Sequence, residues 1–309
     1  METVACILCG SYDAELLFVG RDRIHNIPGE FNVVRCRTCS LVYLNPRPSW
    51  DELQKFYPVD YVGYNLEEAS SLKKLIRRGG WLKKRRLVEK WKREGAILDI
   101  GCGTGEFLQI MMRTGKWQVF GLEPNVHAAF YAAQTTGADI FCGRLEEAEY
   151  PNHFFDVITM WHVLEHMHDP INTLKKVHNI LKHDGILIIA VPVLDSLDAR
   201  LFGPYWSGYD VPRHMFTFSK TTLFKVLMAS GFTSIHFETY VGGHDAFCIS
   251  LSFWANEQLA AFPWLLGIIK SLSQNLLFRM VMTPWYRVLN LLGLGSTVVV
   301  SARPGEHFS

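Results

Sequence analysis

Apolar runs and segments with helical spacing alternate along residues 96–302. Short apolar runs are typical of buried strands, and apolar positions recurring every three or four residues are typical of helices that cover a sheet. Strands are predicted at 96–100, 118–122, 138–142, 155–161, 185–191, 234–241 and 296–302. This alternation predicts the α/β class, with a doubly wound, mostly parallel sheet that binds ligands at the carboxyl ends of its strands.

The turn after the first predicted strand is rich in glycine. Gly101, Gly103 and Gly105 alternate with other residues, and a helical pattern begins at Glu106. Such a turn lets the backbone approach a ligand closely. A dinucleotide-binding turn would have its third glycine at position 106, where pyrophosphate meets a helix N-terminus. The carboxylate of Glu106 would repel pyrophosphate but tolerate a ligand with a positive centre.

Acidic residues at two strand ends indicate the same kind of ligand. Asp99 lies near the end of the first predicted strand. Glu123 ends the next apolar run, 18 residues after Gly105, where a carboxylate can accept hydrogen bonds from both ribose hydroxyls. The residues beside Glu123 include no base that would bind a 2′-phosphate.

With three downstream segments, this turn resembles the class I S-adenosylmethionine (SAM)-dependent methyltransferases. Residues 155–162 are similar to the fourth strand of that family, 163–170 to the segment after it, and 181–190 to the turn and fifth strand. The resemblance covers about residues 96–250 and implies a Rossmann-like fold with SAM as cofactor. A glycine-rich turn in another α/β domain is the competing interpretation.

The resemblance also implies roles for individual residues. Asp99, Gly101 and Gly103 would hold the methionine end of SAM, and Glu123 the ribose hydroxyls. Arg144 and Leu145 would flank the adenine, and Cys102 and Pro124 belong to the same cofactor site. Relatives commonly carry an acidic or polar residue where this chain has Arg144. Trp161 and His162 end the fourth predicted strand, beside the expected position of the transferred methyl group.

Candidate catalytic residues follow from the chemistry of methyl transfer. A sulfonium donor requires mainly alignment, and a base only where the acceptor must lose a proton, a role that histidine can fill at neutral pH. His162 is one candidate and His214 is the other. Without a catalytic role, His162 would pack against the cofactor edge. Glu165 and His166 are predicted to cap or tether the short helix that follows.

His214 lies in an aromatic segment, residues 203–218, which is predicted to form a loop over the carboxyl ends of the strands. A similar Asp-Pro-Arg-His string occurs in SAM-dependent methyltransferases that begin with a zinc ribbon, so Tyr209 and Arg213 become substrate-side candidates. The structural alternative is that Arg213 pairs with Asp210 and that His214 caps the next helix.

Four cysteines near the start of the chain form two matched pairs. Cys6 and Cys9 are separated by two residues, as are Cys36 and Cys39, and 26 residues lie between the pairs. This spacing lets four thiolates converge on one tetrahedral zinc ion, and short strands are predicted at 16–19 and 31–34 between them. A redox pair is the competing interpretation. With four cysteine ligands the zinc would be structural.

Composition limits the possible partners and surroundings. The chain has 309 residues and a formal net charge of +1, so its overall charge does not select a polyanion. Its first ten residues do not follow the signal-peptide pattern, which predicts a cytoplasmic, reducing environment with free thiols. The apolar stretch 259–269 is too short to span a bilayer.

Two further segments lie outside the strand-helix pattern. Residues 46–95 are predicted to form a helical connector, which contains eleven Lys or Arg residues between positions 73 and 93. This basic run either binds the phosphate groups of a partner or forms a solvated helix face. Residues 251–294 are predicted to form an apolar helical insert that meets a membrane surface, caps the pocket or joins two subunits. The predicted domains are a ribbon at 1–45, the connector at 46–95, and a methyltransferase domain at 96–309 that contains the insert.

The leading functional hypothesis is SAM-dependent methylation of a small molecule, such as a sugar, a glycan precursor or a lipid-linked metabolite. The aromatic loop and the apolar insert favour a covered pocket of this kind. An RNA methyltransferase that uses the ribbon and the basic connector is the first alternative. A catalytically silent SAM-binding scaffold is the second. The fold alone does not distinguish methylation of oxygen, nitrogen or carbon.

Overall fold

Strands and helices alternate along most of the chain. The structure, a computed structural model, describes residues 1–58, 71–239 and 243–305. The strands are β1 (Ala14–Gly20), β2 (Phe31–Cys36), β3 (Val42–Leu44), β4 (Gly95–Ile100), β5 (Trp117–Glu123), β6 (Asp139–Cys142), β7 (Phe155–Trp161), β8 (Leu181–Pro192), β9 (Phe216–Thr217), β10 (Phe232–Thr239) and β11 (Thr297–Pro304). The helices are α1 (Trp50–Gln54), α2 (Ser71–Glu89), α3 (Glu106–Met112), α4 (Val126–Thr136), α5 (Pro170–Ile180), α6 (Leu197–Phe202), α7 (Lys220–Ala229), α8 (His244–Gln258), α9 (Pro263–Gln274) and α10 (Leu276–Leu291).

The larger of the two described sheets has seven strands in the order β10-β11-β8-β7-β4-β5-β6. The strands from β6 to β8 run parallel, and β11 runs antiparallel to both β8 and β10. The strand order reverses beside β4, between β5 and β7, where ligands bind in open sheets of this kind. The predicted doubly wound, mostly parallel sheet is therefore confirmed.

The predicted strands agree with the observed ones except at their ends. Strand β8 begins at Leu181, four residues before the predicted start. The residues predicted as a turn belong to the strand, and Leu181 pairs with Phe155 of β7. Strand β10 begins at Phe232, and residues 240–241 of the predicted strand lie outside the described residues. Helix α5 begins at Pro170 after the N-cap Asp169, whose Oδ1 accepts a hydrogen bond from Asn172 N.

The cysteine-rich front of the chain forms a second, antiparallel sheet in the order β1-β2-β3-β9. The strands predicted at 16–19 and 31–34 lie within β1 and β2. The fourth strand, β9, comes from the aromatic segment 203–218, and its Phe216 lies opposite Tyr43 of β3. Because the two sheets also share one buried apolar cluster, the front of the chain holds this segment against the larger sheet.

A buried arginine reinforces the junction between the front sheet and the aromatic segment. The side chain of Arg213 is fully buried, and its Nη2 lies 2.7 Å from both Asp22 Oδ1 and Asp210 Oδ1. Its Nη1 donates to Phe56 O at 3.1 Å. The predicted pairing of Arg213 with Asp210 is therefore present, and Asp22 adds a partner from the front of the chain.

The apolar insert begins at His244, earlier than predicted, and comprises α8, α9 and α10. Helices α9 and α10 leave many large apolar side chains exposed, among them Trp264, Leu272, Leu277, Met280, Val281, Trp285, Val288 and Leu291. None of the helices within the described ranges combines the length and the apolar character needed to cross a membrane.

The domain boundaries remain a prediction. Within the connector predicted at 46–95, the structure describes α1 and α2, whereas residues 59–70 lie outside the described residues.

The burial of Arg213 predicts a large effect of its removal on stability. Replacing Arg213→Met should lower the free energy of unfolding by about 3–5 kcal/mol, because Asp22 and Asp210 would be left without their buried cation. Urea denaturation followed by tryptophan fluorescence measures this change. The control is Arg85→Met, which removes a half-exposed pair with Glu89 and should cost less than about 1 kcal/mol. Equal losses in the two variants would contradict the role of Arg213.

Candidate active site

A cavity of about 640 Å³ opens at the carboxyl ends of β4, β5 and β7. This volume lies in the range of pockets that bind small molecules and cofactors. Most residues that the sequence predicted for the site line this cavity: Gly101, Cys102, Gly103, Glu123, Pro124, Arg144, Leu145, Trp161, His162 and His214. Tyr209 and Arg213 are absent from its described lining.

The glycine turn between β4 and α3 adopts a backbone that only glycine takes without strain. Gly101, Gly103 and Gly105 have φ values of 71°, 53° and 79°. A Cβ atom on Gly101 would lie 2.5 Å from Val163 Cγ2, whereas one on Gly103 would have no described atom within 4 Å. The turn therefore packs tightly on one side and leaves space beside Gly103.

Glu123 is held at the end of β5 by the backbone of both neighbouring turns. Its side chain is almost completely buried, with 3% of the residue exposed. Oε2 accepts a hydrogen bond from Gly103 N at 2.9 Å, and Oε1 accepts one from Asn125 N at 2.9 Å. These two bonds fix the carboxylate relative to the glycine turn.

Asp99 lies beneath the cavity rather than in its lining. Burial raises the pKa of Asp99 to about 7, although the hydroxyl of Thr159 donates to its Oδ1 at 2.6 Å and the charge of Lys84 acts in the opposite direction. Burial thus favours the neutral carboxyl group, and a cation bound nearby would favour its ionised form.

Lys84 brings a positive charge to this edge of the sheet. Its Nζ lies 4.0 Å from the ring centre of Trp81 and 4.8 Å from that of Trp161, distances that allow cation–π attraction. Burial lowers the pKa of Lys84 to about 8, against the charges of Asp99 and Glu106. The sequence analysis missed Lys84, although Trp81 and Lys84 are three residues apart on α2 and therefore share one helix face.

Helix α2 also covers the start of α3. Trp81 Nε1 donates to Glu106 Oε2 at 3.2 Å, and Arg77 Nε lies 3.0 Å from Glu106 Oε1. Glu106 thus stands in the first turn of α3 as predicted, with its charge balanced by the connector. Part of the basic run therefore packs against α3 and the tryptophans beside the cavity instead of forming one solvated helix face.

Three histidines of the cavity lining come from the residues after β7 and from the aromatic segment. His162 directly follows β7, has a φ of 60° and keeps 45% of its side chain exposed. His166 belongs to a 3₁₀ turn at Leu164–His166, and burial lowers its pKa to about 4. The rings of His166 and His214 meet edge to face with centroids 4.6 Å apart. All three histidines line the cavity.

The cap role predicted for Glu165 is wrong, because Asp169 caps α5 and the Glu165 side chain turns into the interior with 0% exposed. His166 instead joins distant segments, since its Nδ1 lies 2.9 Å from Tyr57 Oη and 3.1 Å from Arg213 O and neither partner belongs to α5. The cap role weighed for His214 is also not seen, since Ser219 caps α7.

The four front cysteines converge as their spacing predicts. Cys6 Sγ lies 3.4 Å from Cys39 Sγ, and Cys9 Sγ lies 3.5 Å from Cys36 Sγ. All four sulfur atoms lie within 4.8 Å of one another. Sulfur atoms around a tetrahedral zinc ion are about 3.8 Å apart, because each Zn–S bond is about 2.3 Å long. The donor set and its geometry therefore fit zinc.

Comparison with known proteins supports the assignment of the fold. A family model described as "Methyltransferase domain" matches residues 71–236. The chain is 36% identical over 101 residues to a ubiquinone biosynthesis O-methyltransferase of Neisseria meningitidis serogroup C, covering 30% of this chain and 42% of the relative. It is 27% identical over 175 residues to a tRNA U34 carboxymethyltransferase of Pseudomonas paraeruginosa, covering 55% of this chain and 51% of the relative. The chain thus spans about half or less of the length of these relatives.

Solved structures share the fold at low sequence identity. The phosphoethanolamine N-methyltransferase 2 of Haemonchus contortus superposes with a TM-score of 0.54 and 13% identity, covering 95% of this chain and 68% of that one. A putative methyltransferase of Haloferax volcanii, solved in complex with the Trm112 methyltransferase activator, superposes with a TM-score of 0.52 and 15% identity over 75% of this chain and 93% of that one.

The family model covers more than half of the chain, from α2 through most of β10. It includes β4, the glycine turn, Glu123 and the strand that ends at Trp161, which together form one side of the cavity. This chain therefore belongs to the methyltransferase domain family, as a class I SAM-dependent methyltransferase.

Proposed function

We propose that this enzyme transfers the methyl group of SAM to a small-molecule acceptor that binds in the same cavity. The observation that carries this proposal is the arrangement of that cavity, which has the glycine turn with Glu123 in one wall and three histidines in another. The aromatic segment that supplies His214 is paired to the front sheet through β9, which favours a covered site for a small acceptor.

The residues around the glycine turn fit SAM. The Glu123 carboxylate is fixed beside the turn and can accept ribose hydroxyls, and the space beside Gly103 admits the methionine portion. The charges of Asp99 and Glu106 act on Lys84, whose ammonium group can also pair with the carboxylate of SAM. Arg144 and Leu145 line the part of the cavity proposed for adenine.

Bound SAM supplies an electrophilic methyl carbon with a neutral leaving group, so the protein's contribution is mainly alignment. Trp161, at the end of β7, packs against Phe107 with ring centroids 5.5 Å apart, which fixes one boundary of the reaction space. His214 Nδ1 lies 2.8 Å from Gly208 O and must carry the proton, because a carbonyl oxygen only accepts. Its Nε2 is then the nitrogen that can take a proton from the acceptor, and the exposed His162 can pass that proton to solvent.

We also propose that the four front cysteines hold a structural zinc ion. Cys6 and Cys36 are buried, and four cysteine ligands leave no open coordination position for catalysis. The ion would stabilise the sheet that contributes β3 as the partner of β9.

RNA is the second candidate acceptor, and the similarity to tRNA carboxymethyltransferases is the observation that favours it. The basic connector supports an RNA acceptor less strongly than the number of its Lys and Arg residues suggests. Arg77 pairs with Glu106, Lys90 with Glu238 and Lys92 with Asp184, and Lys84 packs over the rings of Trp81 and Trp161. These pairs reduce the positive charge available for phosphate groups.

We further propose that the exposed face of α9 and α10 rests on an anionic lipid surface. Residues 263–291 contain Lys270, Arg279 and Arg287 and lack any acidic residue. Trp264 and Trp285 are 67% and 48% exposed, respectively. Exposed tryptophans beside basic residues on short apolar helices are typical of helices that lie in a membrane interface. A lipid-linked acceptor would then reach the enzyme at that surface.

Two substitutions test the proposed methyl transfer. His214→Ala should abolish turnover and leave the SAM affinity unchanged, because His214 lies on the acceptor side. Glu123→Gln should weaken SAM binding at least tenfold, because a charged acceptor for the ribose hydroxyls is lost. Isothermal titration with SAM and detection of methylated product measure both effects, and Glu149→Gln, on an exposed glutamate, is the control.

Equal turnover in wild type and His214→Ala would contradict the role of His214. A wild-type protein that binds SAM but methylates no acceptor from the candidate classes would favour the catalytically silent scaffold.

Retention of RNA distinguishes the two acceptor classes. We expect the protein to release transfer RNA at physiological salt, because ion pairs take up part of the connector's positive charge and the formal net charge of the chain is only +1. Filter binding across a salt series measures this release. Tight retention with a steep salt dependence would instead favour an RNA acceptor.

Vesicle binding tests the lipid surface. The double substitution Trp264→Glu and Trp285→Glu should reduce co-sedimentation with phosphatidylglycerol vesicles at least tenfold, because charged side chains oppose insertion into the interface. Phe130→Glu, at an apolar residue of α4 with similar exposure, should bind vesicles as wild type does. Concentration-dependent dimers without vesicle binding would show that a second copy of the chain covers this face, which contradicts the proposal.

A further inference from the structure

The acceptor side of the cavity contains a cluster of metal-ligand side chains that the methyl-transfer proposal does not explain. Glu165, His166 and His214, here called the Glu-His-His cluster, each place one ligand atom within 4.8 Å of the others. Glu165 and His166 follow β7, whereas His214 comes from the aromatic segment. Residues from two separate parts of the chain therefore converge on one point.

Glu165 has an unusual environment for a carboxylate. Its side chain is 0% exposed, and neither oxygen has a hydrogen-bond partner among the described residues. The closest polar contact is His162 Nδ1, 3.3 Å from Oε1, on a ring that is 45% exposed. A buried carboxylate with a single contact of this kind is unfavourable unless a cation also lies against it. The Glu165 carboxylate is thus positioned to bind a cation in addition to its contact with His162.

Hydrogen bonds prepare both histidines of the cluster as metal ligands. His214 Nδ1 lies 2.8 Å from Gly208 O, and His166 Nδ1 lies 3.1 Å from Arg213 O. A carbonyl oxygen only accepts, so each Nδ1 carries the proton when it bonds these carbonyls and each Nε2 keeps its lone pair; Tyr57 Oη, 2.9 Å from His166 Nδ1, then accepts from the same N–H. Metal-binding histidines are usually oriented in this way, by donating the second ring nitrogen to a carbonyl or carboxylate.

The orienting carbonyls are themselves held in place. Gly208 and Arg213 both lie in the aromatic segment, and the Arg213 side chain is clasped by Asp22 and Asp210. Met215 N donates to Glu165 O at 2.8 Å, which ties this segment to the turn that carries the carboxylate. The distances within the cluster therefore depend on rigid contacts.

We propose that the Glu-His-His cluster binds a divalent transition-metal ion, such as Mn²⁺ or Zn²⁺, at the acceptor end of the cavity. Two imidazoles and one carboxylate are a common donor set for such ions and leave coordination positions open. His166 and His214 line the cavity, so the open positions face its interior. The site is separate from the four cysteines and differs from them in donor chemistry.

The role of this ion rests on the proposed function. An open coordination position that faces the cavity suits an oxygen atom of the acceptor. Because more than one position is open, an alcohol with a second oxygen beside it is favoured over an amine. With the ion bound, His214 Nε2 is a metal ligand in place of the base, the metal makes the hydroxyl more acidic, and the proton passes to His162 or water. The acceptor oxygen then bonds to the methyl carbon as the carbon–sulfur bond breaks, releasing S-adenosylhomocysteine.

Metal stoichiometry tests the site without any turnover. The full chain is first loaded with one equivalent of zinc for the four cysteines and then titrated with Mn²⁺, which prefers oxygen and nitrogen ligands. Electron paramagnetic resonance of free Mn²⁺ should show one bound ion per wild-type chain. His214→Gln and His166→Gln should each weaken binding at least tenfold, while His183→Gln, at an exposed histidine outside the cavity lining, should not.

The wild-type measurement stands even if a variant folds poorly, which near-ultraviolet circular dichroism would show. Absence of a bound Mn²⁺ ion in wild type, together with only one equivalent of tightly bound zinc by mass spectrometry, would overturn the site. Unchanged binding in both folded variants would overturn it as well. A failed metal titration alongside normal SAM binding and turnover would remove the metal and leave the proposed methyl transfer intact.

Discussion

The structure depends on the placement of buried carboxylates at one edge of its main sheet. Asp99 near the end of β4, Glu123 at the end of β5 and Glu165 after β7 are each almost completely buried. Their parallel strands are neighbours in the sheet, so their charges are concentrated at one cavity. Removing such groups from water is unfavourable without compensating cations or donors. Backbone donors hold Glu123 and a hydroxyl holds Asp99, and Lys84 is the nearby basic side chain. A sulfonium cofactor and a divalent metal ion are both cations, so both suit this carboxylate-rich edge of the sheet.

The front module matters to the cavity because it is built into the same fold. Strand β9 extends the front sheet, and Arg213 links Asp22 of that module to Asp210 beside His214. A zinc ion at the four cysteines would therefore stabilise the position of His214 at a distance, through β3 and its pairing with β9. The substrate role considered for Arg213 from the sequence is better replaced by a positioning role, since its guanidinium is buried away from the cavity lining.

The features that sequence patterns predicted well are local. The glycine turn, Glu123 and the paired cysteines each depend on residues a few positions apart, where backbone conformation and ligand spacing follow from residue type. Contacts between distant segments could not be predicted in this way. Glu165 was predicted to cap or tether a helix because His214, from the aromatic segment, is close to it only in the fold. Lys84 was not predicted, since charge alone does not indicate which lysine of a basic run is buried beside the site.

The central claim is that the carboxylates at this edge bind two different cations, SAM beside Glu123 and a divalent metal beside Glu165. A crystal structure of the zinc-loaded protein grown with S-adenosylhomocysteine and Mn²⁺, with anomalous data collected at the manganese absorption edge, tests it most directly. The account predicts ribose hydroxyls on Glu123 and an anomalous peak between Glu165, His166 and His214. A nucleoside bound away from Glu123, or a Glu-His-His cluster without an anomalous peak, would contradict it.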